Sequence, residues 1–155
     1  MAIQEGFQAN IVRLSNSLEV ISLDVNFWNP ILRLILCYLP DSHKIDYAKY
    51  AKAFLEELDS FIPRSPFLFM GDFNLPNVDW DKEVFPSGSV YEYFHKFYLH
   101  NQPMLQIVPF ATRGANTLDW IFINIPNFFS SPRPLINLDR SDNVIIKFEY
   151  FSNIN

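Results

Sequence analysis

The pattern of apolar and polar residues divides the first half of the chain into three strands and one helix. Apolar and polar residues alternate over 18–25, as in a strand with one buried face. Residues 31–39 are almost all apolar, which is typical of a strand buried on both faces. Over 45–62 the apolar residues recur at helical spacing, and Pro63 ends this predicted helix. A short apolar run, 67–70, predicts the third strand.

The second half of the chain continues with a loop, a helix and three strands. Residues 71–87 contain three glycine or proline residues and show no periodicity, which predicts a loop. A helix is predicted over 89–101, and strands are predicted over 104–108, 117–124 and 144–151. This order of elements predicts a mixed α/β or α+β fold, with mixed β-sheets flanked by helices. Polar clusters come where the strands end, and such sheets commonly carry their sites there.

Length and composition favour one folded domain, 1–155. The chain has 155 residues, of which 49% are hydrophobic and 19% charged, and this is enough to build a core. Its net charge of −5 gives no overall attraction to nucleic acid, so a nucleic-acid partner needs a local basic patch or a bound cation. The single cysteine, Cys37, excludes an internal disulfide and is expected to be a buried thiol. No apolar run approaches the roughly 20 residues of a membrane span, and no signal peptide is evident, so an intracellular, soluble protein without a membrane partner is expected.

Four clusters of polar residues at predicted strand ends are candidates for chemistry. They are Tyr38; Asp72 with Asn74; Thr112, Arg113, Asn116 and Asp119; and Ser141, Asp142 and Asn143. Brought together, they would supply carboxylates, amides, a phenol and an arginine. Hard oxygen ligands of this kind suit Mg²⁺ or Mn²⁺ and do not suit Zn²⁺. A phosphate ester is the natural substrate, because a metal offsets its charge while amide and phenol groups hold its oxygens.

Each of these residues also has an ordinary structural interpretation. Asp72 and Asn74 follow a strand, where both residue types are common in turns. Tyr38 alone would be a core residue, and Arg113 alone would be a solvated loop charge. Asp119 is more suggestive of function, because it lies in an apolar strand and a buried carboxylate needs a partner.

Taken in order, the clusters resemble the endonuclease/exonuclease/phosphatase superfamily, and within it the endonuclease domain of non-LTR (LINE-like) retrotransposons. The segment MGDFNLPNVDW, 70–80, is similar to that family's Gly-Asp-Phe-Asn-Leu-Pro-x-x-x-Trp signature. CYLP, 37–40, resembles its strand ending in Tyr and Pro, and ATRGANTLDWIFIN, 111–124, resembles its Thr-Arg…Asn-x-Leu-Asp-x-Ile-Phe segment. SDN, 141–143, stands where the family has Ser-Asp-His. The resemblance covers almost the whole chain and implies a partial four-layer α/β sandwich with mixed sheets inside helices.

The resemblance also implies a phosphodiester hydrolase that uses Mg²⁺ or Mn²⁺ and acts on DNA. In this interpretation Asp72 orients or deprotonates the attacking water, Asn74 holds that water and the phosphate, and Tyr38 donates to the phosphate. Asp142 is a metal or water ligand, and Asp119 orients the family histidine, whose position is Asn143 here. The weaker assignments belong to a loop that faces the DNA: Thr112, Arg113 and Asn116.

Two departures from the family pattern bear on activity. Asn143 replaces a histidine, and a carboxamide cannot exchange a proton near neutral pH as an imidazole can. Losing a positioned acid–base group typically costs about 10²–10⁴ in rate. The family's metal-binding glutamate has no counterpart either, since Glu5 and Glu19 lie in a different context and the chain lacks the family's N-terminal strands. Without it Mg²⁺ would bind weakly or not at all. The chain could also be a fragment of a longer element, fused to a reverse transcriptase or separated from one.

Three functional hypotheses therefore remain open. The favoured one is a degenerate, retrotransposon-derived endonuclease domain with weak or no activity. The alternatives are an active Mg²⁺-dependent DNA-nicking endonuclease and a catalytically inert binding or scaffold domain. The fold alone does not decide among them.

Overall fold

A six-stranded mixed sheet is the centre of the fold in the computed structural model, which describes residues 8–15, 19–26, 31–40, 47–135 and 144–151. Its strands are β1 (Gln8–Leu14), β2 (Val20–Asn26), β3 (Leu32–Tyr38), β4 (Phe67–Asp72), β5 (Leu105–Gln106) and β6 (Asp119–Ile123). They lie in the order β1-β2-β3-β4-β6-β5, with β3 and β4 parallel and the other neighbours antiparallel. The C-terminal ends of β3 and β4 therefore meet the N-terminal end of β6 at one edge of the sheet.

Two helices cover one face of this sheet. They are α1 (Tyr47–Asp59) and α2 (Ser89–His100), and their apolar stripes place Phe54 and Phe94 in the same buried cluster as Phe69 of β4. Because successive side chains of a strand point to opposite faces, Leu68 of β4 faces away from the helices. No helix within the described ranges combines the length and the hydropathy that a membrane crossing requires.

A second, smaller sheet lies against the opposite face. It consists of β7 (Arg133–Leu135) and β8 (Ile145–Lys147), paired antiparallel. Ile146 of β8 packs with a buried cluster that includes Leu34, Leu68 and Ile121 of the large sheet. The helices, the large sheet and the small sheet form successive layers, which matches the predicted α/β sandwich architecture.

Aromatic side chains build the core between the large sheet and the helices. Trp120 of β6 is fully buried, and its ring centroid lies 4.5 Å from Phe73, 4.9 Å from Trp80 and 4.8 Å from Phe94. Pairs at this separation add to the free energy gained from area burial alone. Phe73 and Trp80 belong to the segment predicted as a loop, so that segment is anchored in the core directly after Asp72.

The predicted element types are confirmed, but several bounds differ. β4 extends to Asp72, whereas the prediction ended at 70. β5 is shorter than predicted, because the Gln106 amide donates to the Val108 carbonyl at 3.0 Å and accepts from the Val108 N–H. β7 and a short 3₁₀ turn, Pro126–Phe128, were not predicted as elements. Residues 18, 45 and 46 of the predicted elements lie outside the described residues.

Candidate functional site

Three of the predicted site residues form one row across neighbouring strands. Tyr38, the last residue of β3, is in register with Asp72, the last residue of β4. Asp72 is in turn in register with Asp119, the first residue of β6. Strand alternation places all three on the face that points away from α1 and α2. Tyr38 is 39% exposed, so it is a surface residue of this edge and not the core residue that its ordinary interpretation suggests.

A tight turn after β4 fixes Asp72 and Asn74 relative to each other. The Asn74 N–H donates to Asp72 Oδ1 at 3.0 Å, which is the hydrogen bond of an Asx turn. Asn74 has a φ of 47°, a left-handed conformation that asparagine tolerates better than most residues. Its side-chain amide donates to the Leu39 carbonyl at 2.9 Å, so the turn is tied to the end of β3. The orientation of both motif side chains is therefore determined by local hydrogen bonds.

The TRGAN segment, 112–116, is a second rigid support at the same edge. Arg113 and Asn116 exchange two backbone hydrogen bonds of 3.0 Å, which close a two-residue turn that Gly114 enters with a φ of 59°. Asn116 Oδ1 accepts a hydrogen bond of 2.9 Å from the backbone N–H of Asn77. Asn116 thus connects this turn to the segment after β4, and its role here is to position neighbours.

Thr112 is fully buried and sets the start of β6. Its Oγ1 accepts hydrogen bonds from the backbone N–H groups of Leu118 and Asp119, at 2.9 and 3.0 Å. The Thr112 carbonyl accepts a bond of 3.0 Å from the N–H of Val144. Thr112 therefore connects Val144 to the backbone of Asp119, the first residue of β6. Asp142 and Asn143 themselves lie outside the described residues.

Arg113 is the cation that the fold brings to Asp72. Its Nη2 lies 3.0 Å from Asp72 Oδ2, and its Nη1 donates to Asn74 Oδ1 at 3.2 Å. The pair is largely shielded, with side-chain exposures of 32% for Arg113 and 18% for Asp72. One guanidinium therefore spans both residues of the sequence motif, an arrangement that sequence spacing alone did not reveal.

Asp119 is the electrostatically perturbed member of the row. Burial raises the pKa of its carboxyl group above the ordinary value of 3.8. The neighbouring Asp72 charge raises it further, while the Thr112 hydroxyl and Arg113 lower it. No described residue donates a hydrogen bond to its buried Oδ2 atom. The Thr112 hydroxyl thus supplies one partner for this carboxylate, and among the described residues the requirement stays unmet only at Oδ2.

Behind the row, β3 and β4 pack unusually closely at Cys37 and Gly71. These two residues are in register, and a Cβ added to Gly71 would overlap the Cys37 carbonyl oxygen. Burial and the nearby Asp72 charge raise the pKa of the Cys37 thiol well above its ordinary value, so the group stays protonated. The prediction that Cys37 is a buried thiol is confirmed.

The described residues do not by themselves form a divalent-cation site. Within the described ranges, no three histidine, cysteine or acidic side chains lie close enough together to hold a metal ion. Both oxygens of Asp72 accept hydrogen bonds, one from Asn74 and one from Arg113. An arginine cation thus lies beside Asp72, the carboxylate that was predicted to orient or deprotonate the attacking water. The binding of Mg²⁺ or Mn²⁺, with Asp142 as a ligand, stays a prediction.

Comparison with known proteins identifies the fold. No protein-family model and no curated protein matches the sequence. Among solved structures, the chain resembles the 3'-5' exonuclease NExo from Neisseria meningitidis, with a TM-score of 0.67 and 16% identity, over 94% of this chain and 71% of that one. The chain has the endonuclease/exonuclease/phosphatase fold. The endonuclease domain of TRAS1, a telomere-specific non-LTR retrotransposon, gives a TM-score of 0.66 and 13% identity, over 94% and 68% of the two chains.

A third structure with this fold is an AP endonuclease from Archaeoglobus fulgidus, with a TM-score of 0.63 and 15% identity, over 87% of this chain and 65% of that one. The chain therefore spans about two thirds of the length of these structures. The resemblance stated from the sequence is confirmed as a likeness of fold. At identities this low, the roles of individual residues must come from their geometry.

Proposed function

We propose that this domain is a phosphodiester hydrolase of the DNA endonuclease type, derived from a non-LTR retrotransposon, whose hydrolytic activity is weak or lost. The observation that carries the proposal is the row Tyr38, Asp72 and Asp119 across three adjacent strands. Asn74 and Arg113 meet Asp72 at the same edge. Carboxylates, an amide, a phenol and a guanidinium on one face are the groups that phosphodiester hydrolysis uses.

Each group has a role that follows from its chemistry. Asp72 would accept a proton from an attacking water, since its carboxylate stands at the centre of the row. Tyr38 is exposed and would donate its hydroxyl hydrogen to a phosphoryl oxygen. Arg113 would supply a positive charge to the phosphate, which offsets the repulsion between a DNA strand and a chain of net charge −5.

Weak or absent turnover follows from two features. Asn143 takes the place of the histidine that would stabilise charge at the phosphate, and a carboxamide exchanges no proton near neutral pH. In the described residues, Asp72 Oδ2 also accepts a hydrogen bond of 3.0 Å from Arg113, and an attacking water would have to compete with this guanidinium for the carboxylate. The Thr112 carbonyl holds the N–H of Val144. Thr112 would thereby help to position residues 142 and 143, which directly precede Val144, at the site.

The cofactor belongs to the proposal too. A divalent ion, Mg²⁺ or Mn²⁺, would need oxygen ligands beyond those described, with Asp142 as the candidate. Such an ion would supply charge compensation for the phosphate when bound. Assays must therefore include both ions.

Nicking of supercoiled plasmid tests the proposal. Wild type, Asp72→Ala and Asn143→His are compared at equal concentration in Mg²⁺ and in Mn²⁺. We expect wild type to nick no faster than Asp72→Ala, and Asn143→His to gain activity. Circular dichroism of each variant confirms that it is folded.

Two outcomes overturn the proposal. Wild-type nicking that is as fast as that of Asn143→His, and that Asp72→Ala abolishes, would make the domain an active endonuclease. Failure of Asn143→His to nick would overturn the assignment of the reduced activity to the asparagine at 143 and would point to a missing metal ligand.

A further inference from the structure

Both oxygens of Asp72 are occupied by groups of the protein itself. Oδ1 accepts the Asn74 N–H at 3.0 Å, and Oδ2 accepts from Arg113 Nη2 at 3.0 Å. Asn74 Oδ1 also accepts from the same guanidinium, at 3.2 Å. Two of the hard oxygen atoms that a divalent cation would seek at this turn, Asp72 Oδ2 and Asn74 Oδ1, thus already contact a cation, the Arg113 guanidinium.

The position of Arg113 is fixed by its backbone. The turn that carries it is closed by two hydrogen bonds between Arg113 and Asn116, and Asn116 is bound in turn to the Asn77 N–H. The guanidinium charge is therefore held beside Asp72, and it leaves this position only when the side chain moves.

We propose that Arg113 is the resident cation of this site and competes with a divalent metal ion for Asp72. A metal ion bound to Oδ2 at about 2.1 Å would lie beside a guanidinium that donates to the same oxygen at 3.0 Å, and the two positive charges repel each other. Binding of the ion therefore favours departure of the arginine, and this keeps metal affinity low. The inference uses the same site as the proposed function, but it concerns metal binding without DNA.

Removing the charge should strengthen metal binding. In Arg113→Gln the amide can still contact Asp72, but the positive charge is gone. We expect the Kd for Mn²⁺ to fall by at least about fivefold, the lower end of usual coupling between competing ligands. Asp72→Asn in the Arg113→Gln background should abolish this gain.

Isothermal titration with Mn²⁺ at low ionic strength, without DNA, provides the measurement. Arg64→Gln is the matched control, because Arg64 is exposed and precedes β4, whereas Asp72 ends it. Arg64→Gln thus makes the same change of net charge about 20 Å from Asp72, the length of six strand residues. We expect Arg64→Gln to bind Mn²⁺ as wild type does.

A Kd in Arg113→Gln within twofold of the Arg64→Gln value would overturn the inference, as would a gain that survives Asp72→Asn. A second measurement needs no change at position 113. In wild type, the Arg113 guanidinium NMR signals should shift during Mg²⁺ titration with the same half-saturation as binding. Unchanged signals at saturating Mg²⁺ would equally refute displacement. Neither measurement involves DNA cleavage. A negative result in either would therefore refute competition by Arg113 without deciding whether the domain nicks DNA.

Discussion

Gly71 allows β3 and β4 to approach closely behind the candidate site, and Gly71→Ala should destabilise the fold. An added Cβ would overlap the Cys37 carbonyl oxygen and lie 2.6 Å from its sulfur and 2.9 Å from its carbonyl carbon. Two of these three atoms are backbone, so a side-chain rotation cannot relieve the overlap. The strands themselves would have to separate, next to Asp72.

The expected cost is at the upper end of that for overpacked cores, about 3 kcal/mol. For a domain of this size, each kcal/mol lowers Tm by about 2–4 °C, so the loss is about 6–12 °C. Thermal and urea unfolding followed by circular dichroism would measure both quantities.

Two further variants separate the steric cause from other effects. Gly114→Ala adds a methyl group with nothing within 4 Å, at a φ of 59°, and should cost only about 1 kcal/mol from backbone conformation. Cys37→Ala removes the sulfur but leaves the carbonyl, so it should not rescue Gly71→Ala. The reasoning fails if Gly71→Ala costs no more than Gly114→Ala, or if Cys37→Ala restores most of the stability.

Two other substitutions address the row and its support. Asp119 has a raised folded-state pKa, so its ionisation costs stability as the pH rises from about 3.8 through that pKa. Asp119→Asn should therefore gain stability relative to wild type over this range, and a difference independent of pH in urea unfolding would contradict the assignment. Thr112→Val keeps the shape but leaves the buried N–H groups of Leu118 and Asp119 without their acceptor. It should cost about 2–3 kcal/mol, and a loss below about 0.5 kcal/mol would show that these bonds contribute little.

The part of the site that depends on strand ends could be predicted from the sequence. The apolar run 67–70 predicts a buried strand, and a strand of that length must deliver Asp72 to the edge of the sheet. Asp119 was recognisable as a carboxylate within an apolar strand. Alternation along the strands then puts both on one face, once their pairing is known.

The contacts that depend on turn geometry could not be predicted. The ion pair of Arg113 with Asp72 joins residues 41 positions apart and requires both the Asn74 turn and the Arg113–Asn116 turn. The packing of the partly buried Trp80 is a second case, because the segment around it lacks periodicity and is held by an aromatic contact to Trp120. Such contacts leave no signal in local sequence, since they arise from the packing of distant elements.

The central claim is that the row centred on Asp72 is a phosphodiester-hydrolysing site whose activity was reduced by the asparagine at 143. The most direct measurement compares plasmid nicking by Asn143→His with nicking by Asn143→His combined with Asp72→Ala. The account predicts that the single variant exceeds wild type by about 10² or more, and that the double variant returns to background. Equal nicking by wild type and both variants would contradict it.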